Sequence, residues 1–186
     1  MKRALLALAM VAAMSASAEM KFGVVDLMLL VRNHPNYDSN KELLTATDKD
    51  YQKKLDSIKQ EGEKLQEEGK KLAEQLRNPM LAAKAKADIE KQLTDLQQKL
   101  MGIEQRYRAE AMRCRQDLQD LESRLLKTTT DDLRRRIAKF AEEKGYDFIL
   151  DKNAAPYSKV SYSVTDEILR AMGVDPKNAK GKDESK

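Results

Sequence analysis

From Tyr51 onward the apolar and small positions recur as Tyr51, Leu55, Ile58, Gly62, Leu65, Gly69, Leu72 and Leu76. Steps of four and three alternate, the period of a helix that buries one stripe against a partner helix. Arg77-Asn78-Pro79 breaks the run, because proline cannot continue a helix but can open the next, so a second helix is expected from Pro79. The stripe resumes as Ile89, Leu93, Leu96, Leu100, Ile103, Tyr107, Ala111, Cys114, Leu118, Leu121 and Leu125. Two helices joined by a short turn fold back antiparallel. A turn centred near Pro79 pairs Tyr51 with Tyr107, Leu55 with Ile103, Ile58 with Leu100 and Leu65 with Leu93. It also sets Gly62 against Leu96 and Gly69 against Ile89. Each of these glycines costs about 1 kcal/mol of helix propensity relative to alanine. They either make room for the larger residue opposite or let the arm bend, and the two roles are compatible.

On either side of this hairpin the period changes. Lys21-Phe22-Gly23-Val24-Val25-Asp26 reads as a strand, and Leu27 to Val31 as a brief helix ended by Asn33-His34-Pro35. The first long helix then begins at Ser39, with Ser39 or Asn40 as its cap. The second runs to Lys144, interrupted by Thr128-Thr129-Thr130, whose β-branched side chains form helix poorly. Its stripe restarts as Leu133, Ile137 and Phe140, and Gly145 is placed to end it. Tyr146 to Asp151 is β-prone, and Val160-Ser161-Tyr162 alternates like a returning strand. Ser163-Val164-Thr165-Asp166 fits a capping box before a short helix through Ile168, Leu169 and Met172.

The expected class is α+β and predominantly helical, with a long antiparallel coiled-coil hairpin inserted in a small β-rich body. The hairpin occupies 41–127, the body 19–40 together with 128–175, and a disordered tail 176–186. Three short strands leave open edges and cannot build a sizeable core. Phe148-Ile149-Leu150 is apolar without alternation, as in a strand covered on both faces. Pooling of strands between several copies of the chain is the expected remedy.

Composition narrows the function. Charged residues make up 35% and aromatic residues 5%, which suits long solvated helices better than a large globular core. Lys2 and Arg3, an apolar stretch from Ala4 to Met14, and Ala16-Ser17-Ala18 form the pattern of a cleaved export signal over 1–18. Its apolar stretch is too short to span a bilayer. The formal charge of +4 falls to +2 without Lys2 and Arg3, a mild excess that does not argue for nucleic acid. The single Cys114 excludes an intrachain disulfide; it is expected to be a buried small hydrophobe, with an interchain disulfide or reactive thiol as the alternative. His34 is the only histidine and has no cysteine near it, so a metal site is not expected. No phosphate-binding loop or nucleophile–base set stands out, so neither catalysis nor a cofactor is expected.

Several segments resemble one family. The signal, Lys-Phe-Gly-Val-Val-Asp at 21–26, Pro35-Asn36-Tyr37 before a charged hairpin, and Gly145 to Ala155 are similar to the Skp (OmpH-like) periplasmic chaperones. So are Pro156-Tyr157 and the stretch Ser163 to Leu169. The resemblance implies a periplasmic homotrimer with a small β-barrel body and three helical arms around a cavity. Its implied work is ATP-independent holding of unfolded outer-membrane proteins. In that reading Val24, Val25, Phe148, Ile149 and Leu150 build the trimer body, joined by Val160 on the returning strand. Contact with lipid or lipopolysaccharide is left open, because the basic site of some members has no position-by-position match here.

The hairpin suits such work. Between Arg77 and Arg115 nine Lys/Arg stand against five Asp/Glu, a field that draws in acidic clients and weakens with salt. The candidate client-facing residues are Met80, Leu81, Lys84, Lys86, Lys91, Arg106 and Arg108, with Gly62 and Gly69 supplying flexibility. The rival is an exported structural or adaptor coiled coil of the cell envelope.

Overall fold

The computed structural model describes residues 20–181; the expected signal at 1–18 lies outside them. These residues form two compact units, one from 20–37 with 128–181, the other from Asp38–Lys127.

The first unit is built on two strands, β1 (Phe22–Val25) and β2 (Phe148–Asp151). They pair in parallel with Phe22 opposite Phe148, Gly23 opposite Ile149, Val24 opposite Leu150 and Val25 opposite Asp151. The parallel sense requires a long connection, which the helices between them provide. Gly23 is required by close approach: a Cβ there would stand 3.2 Å from Ile149 and 3.3 Å from Tyr146 and Val164. Asp26 ends β1 and starts α1 (Leu27–Arg32), its Oδ1 accepting the Leu29 N–H at 2.9 Å. Leu30, Leu133, Val164, Ile168 and Leu169 are the most deeply buried side chains, and Phe140 and Val25 complete the centre of this core.

Several expectations are corrected here. Val160–Tyr162 is a single 3-10 turn, not a returning strand, because its backbone is satisfied locally: Tyr162 N–H bonds Lys159 O and Ser163 N–H bonds Val160 O, both at 3.0 Å. Among the described residues a single bridge, Val24 to Ser163, extends the sheet on that side. The final helix, α4 (Thr165–Ala171), lacks a side-chain cap, since Ser163 falls one residue early and the Thr165 hydroxyl instead accepts the Asp26 N–H at 2.9 Å. Of the tail 176–186 expected to be disordered, 182–186 lie outside the described residues, and Ala179 is buried in the core. Asn33 holds the backbone of Lys180 at two points, through its N–H at 2.9 Å and its carbonyl at 3.2 Å.

The long helices are α2 (Tyr37–Leu76) and α3 (Ala83–Lys144). α2 starts before Ser39 because the preceding turn delivers it: Tyr37 N–H bonds His34 O at 2.9 Å, and His34 Nδ1 accepts the Asn36 N–H at 3.2 Å. α3 passes through the three threonines unbroken, and Thr129 is buried four residues before Leu133 as a member of the same stripe. Gly145, at φ +68°, ends α3, and the Tyr146 N–H bonds Ala141 O at 2.9 Å.

In the second unit α2 and α3 run antiparallel. Lys54 pairs with Glu110, Glu61 with Arg106, and Gly62 lies against Ile103. The numbers of these facing residues add to 164, 167 and 165, about seven more than a turn centred on Pro79 implies. The register is therefore displaced by one heptad. Every stripe position still meets a stripe position, which is why the pattern could not distinguish the two. The displacement originates in the turn: Asn78 Oδ1 accepts the Met80 N–H at 3.0 Å and Leu81 N–H bonds Asn78 O at 3.3 Å. Pro79 lies inside this turn rather than opening α3.

Candidate functional site

The two strands present different faces. Val25 is buried and Ile149 packs against the core, whereas Phe22, Phe148 and Leu150 are about half exposed. Phe22 and Phe148 stack with centroids 5.7 Å apart on that outer face, beside the Val24–Leu150 pair. Val160 on the neighbouring turn is 91% exposed. Within the single chain β2 therefore has one side half-buried on the core and one side bare. Of the six residues assigned to the body, Val25 and Ile149 serve the subunit's own core, and Phe148, Leu150 and Val160 point away from it. Phe22 was overlooked, although the period-2 rule places it on the same face as Val24.

A bare apolar sheet face is costly in water. At roughly 25 cal/mol per Å² of apolar surface, covering several such side chains is worth a few kcal/mol. The arrangement can bury that area only against another surface.

On the hairpin, Met80 is 89% exposed at the turn and Leu81 half-buried. Lys84 and Lys91 are exposed, Lys86 is half-buried, and the three form no ion pair among the described residues. Arg106 and Arg108 are instead engaged, with Glu61 and Glu104 respectively, so they contribute less free positive charge than expected. Gly62 is buried with Ile103, not Leu96, across from it. Gly69 has open space around it, so it does not make room for Ile89.

Cys114 is buried, its Sγ 3.7 Å from Glu110 Oε1, and burial pushes its thiol pKa up. Glu110 is held below the ordinary carboxylate value by its bond to Lys54. The thiol is accordingly a poor nucleophile and packs as a small hydrophobe. In the first unit, Asp132 gathers Arg136 at 2.6 Å, His34 at 3.2 Å and Arg135 at 3.1 Å. These partners, Arg136 first, hold its carboxyl well below the usual range. Among the described residues no cluster of His, Cys, Asp or Glu could hold a metal ion. No helix there is long and apolar enough to cross a membrane.

Residues 21–172 match a family model described as OmpH: Outer membrane protein (OmpH-like). A search of the curated proteins finds no match to the chain.

Proposed function

We propose, starting from the fact that this chain belongs to the OmpH-like family, that it is a periplasmic holding chaperone for unfolded outer-membrane proteins. It works as a homotrimer and without nucleotide. Family membership carries this reading; the bare outer face of Phe22, Phe148 and Leu150 supports the self-association it needs. Three copies cover these faces by pooling strands, and their hairpins together bound a cavity. Export is directed by residues 1–18, which are then removed.

Holding requires contacts that are individually weak, numerous and tolerant of sequence. Lys84, Lys86 and Lys91, which form no ion pair among the described residues, draw acidic clients in, and Met80 offers an adaptable apolar contact at the turn. Bending at Gly62 and Gly69 adjusts the cavity to clients of different size. Transient contact of this basic start of α3 with lipid or lipopolysaccharide is compatible with this chemistry.

The test is dilution of a urea-unfolded porin into buffer with stoichiometric amounts of this protein. Suppressed aggregation without added nucleotide is the expected result; unchanged aggregation would leave an adaptor role as the better account.

A further inference from the structure

His34 is the chain's single histidine, and its ring is buried in the turn between α1 and α2. Both ring nitrogens are engaged. Nδ1 accepts the Asn36 backbone N–H at 3.2 Å, so this nitrogen carries the lone pair. The proton of the neutral ring then sits on Nε2, 3.2 Å from Asp132 Oδ2 on α3. The backbone carbonyl of His34 also accepts the Tyr37 N–H at 2.9 Å. One residue thus satisfies two donors where α2 begins, and a helix start has no intrahelical partners for them.

Histidine is the side chain whose charge changes between about pH 5 and 8. A second proton on this ring must go to Nδ1, where it meets the Asn36 N–H, donor against donor. Nε2 meets no such conflict, because Asp132 accepts from either form of the ring. The Asp132 carboxylate stays ionised through this range, held chiefly by Arg136 at 2.6 Å. Arg135, at 3.1 Å, is its other guanidinium partner, and the preceding Asp131 pairs with Arg134. The remaining charged groups of the surrounding segments are Arg32 in the last turn of α1, Asp38 in the first turn of α2, and Lys180. The Lys180 ammonium lies over the Tyr37 ring, 5.9 Å from its centroid.

We propose that His34 is a pH-sensitive latch at the entry to α2: its neutral ring ties the Asn36 backbone to Asp132, and its protonated ring keeps Asp132 and releases Asn36. Acid thus loosens the turn that leads into α2 while the contact with α3 persists. The latch works at higher pH than the protonation of Asp132 itself, and it does not depend on the holding function.

Nitrogen NMR of the full protein labelled at histidine reads one ring, since the chain has no other histidine. Near neutral pH the proton should be on Nε2 and absent from Nδ1; a proton on Nδ1 there overturns the latch. Amide exchange of Asn36, divided by the intrinsic rate at each pH, should rise at least about fivefold between about pH 7.5 and about pH 5, as loss of one hydrogen bond requires. An unchanged ratio overturns the proposal. His34→Asn offers a carboxamide oxygen to the same N–H without titrating, so its ratio should change by less than about twofold. A full rise in His34→Asn would show another group at work and likewise overturns the assignment. Circular dichroism checks that this variant folds; where it does not, the two wild-type measurements decide.

Discussion

Gly62 lies against Ile103 across the hairpin, close enough that a Cβ on the glycine would stand 3.4 Å from Ile103 Cγ2. This contact fixes the register of α2 on α3 and separates the roles of two glycines that look alike in sequence. Gly69 has nothing within 4 Å of the same construction.

Replacing Gly69 with alanine should therefore stabilise the hairpin by about 1 kcal/mol, the helix-propensity difference. Gly62→Ala should gain at least as much, because a methyl group there meets Ile103 at an ordinary van der Waals distance and is buried. Thermal unfolding followed by circular dichroism measures both. A loss of stability at Gly62 would contradict the packing. The double variant should also narrow the range of clients held, if bending at these positions serves function.

Adjacent residues of β2 should respond oppositely. Phe148→Lys should leave the fold intact and lower the mass in solution, since its ring faces outward with Phe22. Ile149→Ala should cost about 2 kcal/mol of stability, at the low end for a core truncation because the side chain is only half-buried. Denaturant unfolding and light scattering distinguish the two; an unchanged mass for Phe148→Lys would count against the outer face as an interface.

Asp132→Asn should destabilise the first unit by about 1–3 kcal/mol, because His34, Arg135 and Arg136 share that carboxylate. Its pKa is lowered in the folded state, so its contribution is present in full above the unfolded carboxylate pKa of about 4. That contribution is lost progressively as pH falls below this value. The stability difference between wild type and variant should accordingly shrink in acid. A difference that stays constant with pH would contradict the linkage.

Lys84, Lys86 and Lys91, replaced together by glutamine, should slow association with an acidic client and flatten its salt dependence. Arg106→Gln with Arg108→Gln should do less, since both arginines are already paired within the hairpin. Stopped-flow association at two salt concentrations decides between them.

Much of the architecture was legible in the sequence because it follows from period. The 3-4 stripe located both long helices, and the strand at Phe22–Val25, the helix at Leu27–Arg32 and the stop at Gly145 followed from local chemistry. What the pattern could not carry was anything decided by a distant partner. A heptad displacement leaves the stripes matched, so only the Asn78 turn and the Gly62–Ile103 contact select the register. The Thr165 hydroxyl accepts the N–H of Asp26, 139 residues away, and the expected cap Ser163 stands one residue before the actual cap position. Asn33 likewise ties down Lys180, which a reading of the charged C-terminal segment by itself does not suggest. Exposure was half legible: the pattern does not say that Phe22 shares the bare face with Phe148 and Leu150, nor that Arg106 and Arg108 are paired within the hairpin.

The central claim is that the bare side of the β1–β2 pair is covered by further copies of the chain. Molar mass by light scattering on the purified, signal-free protein tests it most directly. Three times the chain mass, falling on Phe148→Lys substitution, is the predicted result. A mass equal to one chain across the concentration range would contradict the account.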